Sequence, residues 1–390
     1  MPNKLKAGVI GLGILGQQHA EFLHNHPAVE VAAVSDLRKP AAEQVAAKVG
    51  AAAFTDYAEM FKQHTLDLVV VATPDHLHRA PTLAAIAAGV PNILQEKPLA
   101  TSLEDADAIY NAVERAGTRF FIDFANRAVP TDIATRYVIQ NNLLGRMVYG
   151  EARLDDNISV PTQMWGDRTK DFAAGSSTAH FLLSHVVDLL RWYFSPAEVT
   201  DVYAMSQQEV LGYTPDLYDA FLTFNTGLKV RVKAEWIKHM DQLVEFYLCF
   251  SGSEGTLVYN KLPGFGVEQG WRANLSDKLG ADALLQHQNA LLNLGVNVGA
   301  KVHRPSPVAG TLAAGGGETA LALEHVGPVP GGGVMALGGP IIDGILQNTP
   351  EPTSWQGRGA LPNHLDGLRQ TQVVMAIVES SRTGKPVSVS

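Results

Sequence analysis

Short apolar runs alternate with helical patterns over the first 125 residues. "KAGVIGL", "VEVAAVSD", "LDLVVVAT", "NILQEKP" and "RFFIDFA" read as strands, the "LDLVVVAT" run counting as the third. Between them "LGQQHAEFLHNH", "KPAAEQVAAKVG", "RAPTLAAIAAG" and "SLEDADAIYNAVERAG" read as helices, the second with Pro near its start and Gly at its end, the last opened by Ser102. Nearly continuous apolar strands separated by helices of this length predict a parallel, doubly wound sheet with both faces covered. After Arg127 the rhythm changes. "TDIATRYVIQNNLLG" predicts a helix, "RMVYGEARLDD" a strand, and "SSTAHFLLSHVVDLLRW" one long helix stopped at "SPAE". Then follow strand-like runs at "VTDVYAMSQQ", "LYDAFLTFNTGLKVRVKAEWI" and "LVEFYLCFSGSEGTLVYN", which predict an antiparallel sheet. The expected fold class is therefore α/β, with a doubly wound domain over 1–125 and an α+β domain with a largely antiparallel open sheet over 126–390. Residues 272–335 show no clear periodicity, "AAGGGETA" and "VPGGGVMALGG" reading as glycine-rich loops. "HLDGLRQTQVVMAIVESSRTG" closes the chain as a helix ending at Gly384.

Charge narrows the partners. At 390 residues and a formal net charge of -9, the chain lacks the surplus of Lys and Arg that a polyanion requires, so no nucleic acid partner is expected. No run approaches the roughly 18 uninterrupted apolar residues of a membrane helix. Cys249 is the only cysteine, which excludes an intrachain disulfide and a Cys-based zinc cluster and fits a reducing, cytoplasmic setting.

The candidate chemistry begins at Gly11, Gly13 and Gly16, which form Gly-x-Gly-x-x-Gly after a predicted strand and at the mouth of a helix, with Ile14 and Leu15 inside the motif. The first glycine allows the tight turn, the second lets a pyrophosphate approach the backbone, and the third lets helix and strand pack closely. Asp36, twenty residues past Gly16, can accept hydrogen bonds from both adenosine ribose hydroxyls. The same carboxylate repels a 2′-phosphate, which favours NAD. Arg38, with Lys39, could neutralise that phosphate, so NADP stays open. Thr73 and Pro74 of "ATPDHLH" can line the nicotinamide ribose, next to His76. His76 and His78 make a His-x-His without further metal ligands at suitable spacing, and no metal is expected. "QEKPL" brings Glu96 and Lys97 to the same strand edge, where an ammonium can hold a substrate hydroxyl and stabilise a developing alkoxide.

These segments together resemble a known group. "GVIGLGILG", Asp36, "ATPDHLH", "QEKPLA", "FANR" and "DGLRQTQVVMAIVESSRTGKPV" are similar to the family of glucose-fructose oxidoreductase, inositol dehydrogenase and rhizopine-catabolism proteins, from residue 7 to about 388 and leaving only the glycine-rich stretch unmatched. The resemblance implies an N-terminal Rossmann domain, a C-terminal domain whose open sheet commonly mediates oligomers (a homodimer or homotetramer), and NAD(P)-linked chemistry on sugars, polyols or related small molecules. It implies that Lys97 contacts cofactor and substrate, that Glu96 and Arg127 lie on the cofactor side, and that His185 and Asp188 match the family's catalytic His-x-x-Asp. An aspartate commonly stands four residues before that histidine. Here the position is Phe181.

On an α-helix, positions 181, 185, 188 and 192 share a stripe, while His180 and His185 stand ~140° apart and cannot chelate one metal. His185 is the expected general base, Lys97 the hydroxyl binder, and His180 a replacement polar contact; a satisfied core histidine is the bland alternative for His185. Asp188 can instead orient the helix or pair with Arg191 or Arg127. "NISVPTQMWGDRTKDFAAG" is expected as a loop over the substrate, with Trp165, Arg168 and Lys170 stacking on a sugar face or binding its hydroxyls. Two other functions fit the same residues: transient use of bound nucleotide for elimination or hydrolysis, and a non-catalytic sensor of nucleotide or sugar.

Overall fold

The computed structural model describes residues 4–265, 268–303, 320–327, 333 and 335–389. The first part alternates strand and helix: β1 (Leu5–Ile10), α1 (Ile14–Asn25), β2 (Val29–Ser35), α2 (Lys39–Val49), β3 (Ala52–Phe54), α3 (Tyr57–Gln63), β4 (Leu68–Val71), α4 (Arg79–Ala87), β5 (Asn92–Gln95), α5 (Leu103–Ala116) and β6 (Arg119–Ile122). All six strands are parallel, in the order β3-β2-β1-β4-β5-β6. The order reverses between β1 and β4, so the crevice for a ligand lies at their carboxyl ends. β4 is wholly buried, as a strand covered on both faces must be. The sequence reading missed β3 and α3, whose short runs carry too little periodicity. "LDLVVVAT" is thus the fourth strand, not the third.

Local signals fix the helix ends. Ser102 caps α5 by accepting the Asp105 N–H at 3.2 Å, and Gly50 and Gly117 close α2 and α5 in the left-handed conformation. Ile10, Val69, Val71, Ile93, Ile109 and Ile122 belong to one core cluster, joined by Leu368 from the C-terminal helix.

The remaining elements are α6 (Pro130–Gln140), β7 (Met147–Asn157), α7 (Ser159–Gln163), α8 (Thr169–Gly175), a π-helical turn (Ala179–Leu183), α9 (Ser184–Phe194), β8 (Val199–Gln207), β9 (Leu217–Phe224), β10 (Lys229–Lys238), β11 (Val244–Gly252), β12 (Gly255–Leu262), β13 (Gly270–Leu275), α10 (Ala281–Asn293), β14 (Gly299–His303), β15 (Ala320–Val326), α11 (Gly338–Gln347), α12 (His364–Thr383) and β16 (Val387–Ser388). Ten strands form the second sheet, in the order β14-β15-β13-β12-β11-β7-β10-β9-β8-β16. Its neighbours are antiparallel except β7 and β10. Compact packing gathers residues 1–125, 171–185 and 333–375 into one unit and 126–170, 186–332 and 376–390 into another.

Three expectations need correction. The segment expected as a substrate loop is helical, containing α7, α8 and a 3₁₀ turn at Gly166–Arg168. The expected long helix over 176–192 opens with the π turn, and only from Ser184 is it α-helical. Residues 272–303, which showed no pattern, hold α10 and β14; most of the glycine-rich stretch, 304–319 and 328–332, lies outside the described residues. Among the described residues no helix is long and apolar enough to cross a membrane.

Candidate active site

The glycine loop at the β1–α1 junction assigns one duty to each glycine. Gly11 has φ +86°, and a Cβ there would lie 2.6 Å from the Ala72 carbonyl oxygen. A Cβ on Gly16 would come within 1.8 Å of the Gly11 oxygen. At Gly13 a Cβ would meet nothing within 4 Å, and α1 starts there without a side-chain cap. The loop therefore presents open space before uncapped N–H groups, which fits the pyrophosphate of a dinucleotide. Ile14 is exposed and Leu15 half-buried beside it.

Asp36, just past β2, is held ionised. Its Oδ2 accepts the Leu12 N–H at 2.8 Å and its Oδ1 accepts the Arg38 N–H at 2.9 Å, while the Arg38 guanidinium lies 3.1 and 3.2 Å from the two oxygens. Burial alone would raise the Asp36 pKa, but these donors outweigh it and hold the carboxyl below its ordinary value.

Past β4, Thr73 and Pro74 are half-buried and His76 exposed. His78 is buried, Nδ1 2.7 Å from the Pro98 carbonyl and Nε2 2.9 Å from that of Thr73, so it ties the two loops at the crevice together. Burial pushes its pKa down. Asp75, also buried, accepts the Ser176 hydroxyl at 2.7 Å, and a Cβ on Gly175 would lie 2.4 Å from the His76 ring. Residues 175–176 thereby clasp the loop after β4.

Lys97 follows β5 and is buried, its side chain turned to Phe181. The ammonium donates to the Phe181 carbonyl at 3.3 Å and stands 4.1 Å from the centroid of the Phe181 ring, a cation–π contact. Phe172 meets that ring edge-on at 5.5 Å. The Ser184 hydroxyl donates to the same carbonyl at 3.1 Å. Two side-chain donors on one helix carbonyl accompany the widened π turn, a common mark of functional positions. In such a turn residues five apart fall nearer one face than α-geometry allows, so the ~140° separation of His180 from His185, which assumed an α-helix, does not hold. His180 is half-buried and shares a 2.8 Å hydrogen bond with Ser177 through Nδ1. Burial lowers its pKa.

His185 is half-buried, and it is the one residue from Leu182 to Phe194 that is not fully buried. Asp188, three residues on, is buried and held by Arg127, whose Nη2 and Nε donate to its two carboxylate oxygens at 2.5 and 3.0 Å. Arg191 pairs with Glu198 instead. Trp165 is half-buried and Arg168 exposed, while the Lys170 ammonium stands 5.4 Å from the Tyr213 ring centroid.

Glu96 is buried, one carboxylate oxygen 2.9 Å from Nε2 of His19 on α1, and Oδ2 of Asp123, just past β6, lies 3.6 Å from the same nitrogen. Sequence reasoning missed His19 and Asp123. The signals were an inward histidine three residues after Gly16 and a carboxylate interrupting the apolar run "RFFIDFA".

A six-stranded parallel sheet with this glycine loop, an acidic end to β2 and a lysine past β5 defines a dinucleotide-binding protein of the Rossmann class. Beyond class, the chain belongs to the GFO/IDH/MocA oxidoreductase family. Residues 5–124 match the model described as "Oxidoreductase family, NAD-binding Rossmann fold", and residues 133–258 match the family's C-terminal domain. An inositol 2-dehydrogenase from Acidothermus cellulolyticus is 31% identical over 221 residues, 56% of this chain and 61% of that protein. A levoglucosan dehydrogenase from Pseudarthrobacter phenanthrenivorans is 28% identical over 198 residues, 48% of this chain and 50% of that one. The matches thus span about half to three-fifths of those relatives' lengths. A solved levoglucosan dehydrogenase in complex with NADH and L-sorbose superposes with a TM-score of 0.73, at 21% identity, over 100% of this chain and 99% of that chain, and bears out the fold.

Proposed function

We propose that this protein is an NAD-dependent dehydrogenase that oxidises a secondary hydroxyl of a sugar, polyol or related small molecule. The observation that carries the reading is the partial exposure of His185 in an otherwise buried helix, one turn after the carbonyl held by Lys97. The N–H groups after Gly13 would bind the pyrophosphate and Asp36 the adenosine ribose hydroxyls, with Ile14, Leu15, Thr73, Pro74 and His76 along the dinucleotide. The bound nicotinamide supplies the hydride acceptor. Lys97 binds the reacting oxygen and offsets its developing negative charge, and an imidazole nitrogen of His185 takes the hydroxyl proton. Asp188 and Arg127 hold the helix that carries it. Trp165, Arg168 and His180 are proposed substrate contacts. The names of the relatives, an inositol and a levoglucosan dehydrogenase, support a polyhydroxylated substrate. We also propose that the chain works as a homodimer or homotetramer.

Absorbance of NADH and NADPH formation across monosaccharides, inositols, anhydrosugars and sugar acids tests the activity. Turnover with NAD exceeding that with NADP is expected, because the ionised Asp36 repels a 2′-phosphate. Silence with every candidate, together with tight NAD binding, overturns the reading in favour of a sensor.

A further inference from the structure

Three ionisable side chains from three elements meet in the interior. His19 comes from α1, Glu96 from the loop after β5 and Asp123 from the end of β6; they are 2%, 5% and 4% exposed. His19 Nε2 lies 2.9 Å from Glu96 and 3.6 Å from Asp123. Oδ1 of Asp123 is buried and, among the described residues, has no hydrogen-bond partner. A bare carboxylate in that position would be costly, whereas a protonated one is tolerated.

We propose, on the dehydrogenase reading above, that Asp123 is a positioning residue that keeps a proton while Lys97 works, so that the ammonium faces the reacting oxygen without a competing anion. The charges balance accordingly. Protonated His19 and ionised Glu96 cancel, neutral Asp123 adds nothing, and Lys97 carries the one uncompensated charge of the four. Loss of the Asp123 proton adds an anion that interacts electrostatically with Lys97 and weakens its hold on a developing alkoxide.

The groups acting on Asp123 set when that occurs. Burial first and then Glu96 push its pKa up, against His19 and Lys97, to about 8. Burial would lower the pKa of His19, but its hydrogen bond to Glu96 and the charge of that carboxylate lead the contacts that raise it instead. Turnover should therefore hold through neutrality and fall as pH climbs past about 8.

The test is a pH-difference infrared titration of the full chain labelled with ¹³C-aspartate, which needs no turnover. A protonated carboxyl band is expected at pH 7, titrating near 8 and absent in Asp123→Asn. Lys97→Met removes a cation that favours the anion and should raise the midpoint by about one unit; Glu96→Gln removes a repelling anion and should lower it. Where turnover is measurable, the alkaline fall in kcat should share the midpoint and vanish in Asp123→Asn. No band at pH 7, a midpoint unmoved in Lys97→Met, a wild-type kcat that does not fall, or a divalent metal retained stoichiometrically by the cluster would each overturn the proposal. Should Asp123→Asn fail to fold, the Lys97→Met and Glu96→Gln shifts still decide it. A coupled band in a chain that oxidises nothing would leave the cluster standing while the dehydrogenase reading falls.

Discussion

The three glycines of the β1–α1 loop look alike in sequence and differ in what a side chain would meet. At Gly13 a Cβ projects into open space, whereas at Gly16 it would sit 1.8 Å from a backbone oxygen. Gly13→Val should lower the melting temperature only slightly, as a poorer start to α1, and weaken NAD binding about tenfold or more, because the approach of the pyrophosphate is blocked. Gly16→Ala should instead lose stability by at least about 1–3 kcal/mol, since backbone must shift to admit the methyl group. Thermal melts and nucleotide titrations of both variants check the contrast, and equal melting losses would refute it. This loop was legible because its chemistry lies at fixed, short spacing. The cluster of His19, Glu96 and Asp123 was not, since its members are 77 and 27 residues apart along the chain and meet only through the strand order of the parallel sheet.

At the scale of elements, the buried ion pair of Arg127 with Asp188 helps to fasten α9. Removing one partner of such a pair leaves an uncompensated charge in the interior and typically costs about 3–5 kcal/mol, while replacing both by apolar groups is close to neutral. Arg127→Met should therefore destabilise the chain by about that amount, and Arg127→Met with Asp188→Leu should recover most of it; denaturant unfolding of the single and double variants reads the difference. A loss under about 1 kcal/mol in the single variant would show that the pair does not anchor the helix. Sequence periodicity found α9 but not its π-helical entrance, because a helical pattern assumes 100° per residue and the side chain that meets the turn's Phe181 carbonyl, Lys97, lies 84 residues earlier. The 157–175 segment was expected as a loop, yet Pro161 is accommodated within the short helix α7. The parallel pairing of β7 with β10 also escaped a reading based on consecutive hairpins.

For the whole molecule, both fold classes were legible, since apolar runs alternating with helices encode the first sheet and hairpin-spaced strands most of the second. What the sequence pattern did not reveal is that residues 171–185 and 333–375 pack with the N-terminal unit. That grouping places His185 in the same compact unit as the glycine loop, Asp36 and Lys97. The central claim is that His185 moves the proton of the hydroxyl held by Lys97. Its most direct test is kcat for His185→Ala, measured beside the NAD dissociation constant on a sugar found in the screen. A positioned general base contributes about 10²–10⁴ in rate, so kcat should fall by at least about 10² while NAD affinity stays that of the wild type. A loss below about fivefold would contradict the account.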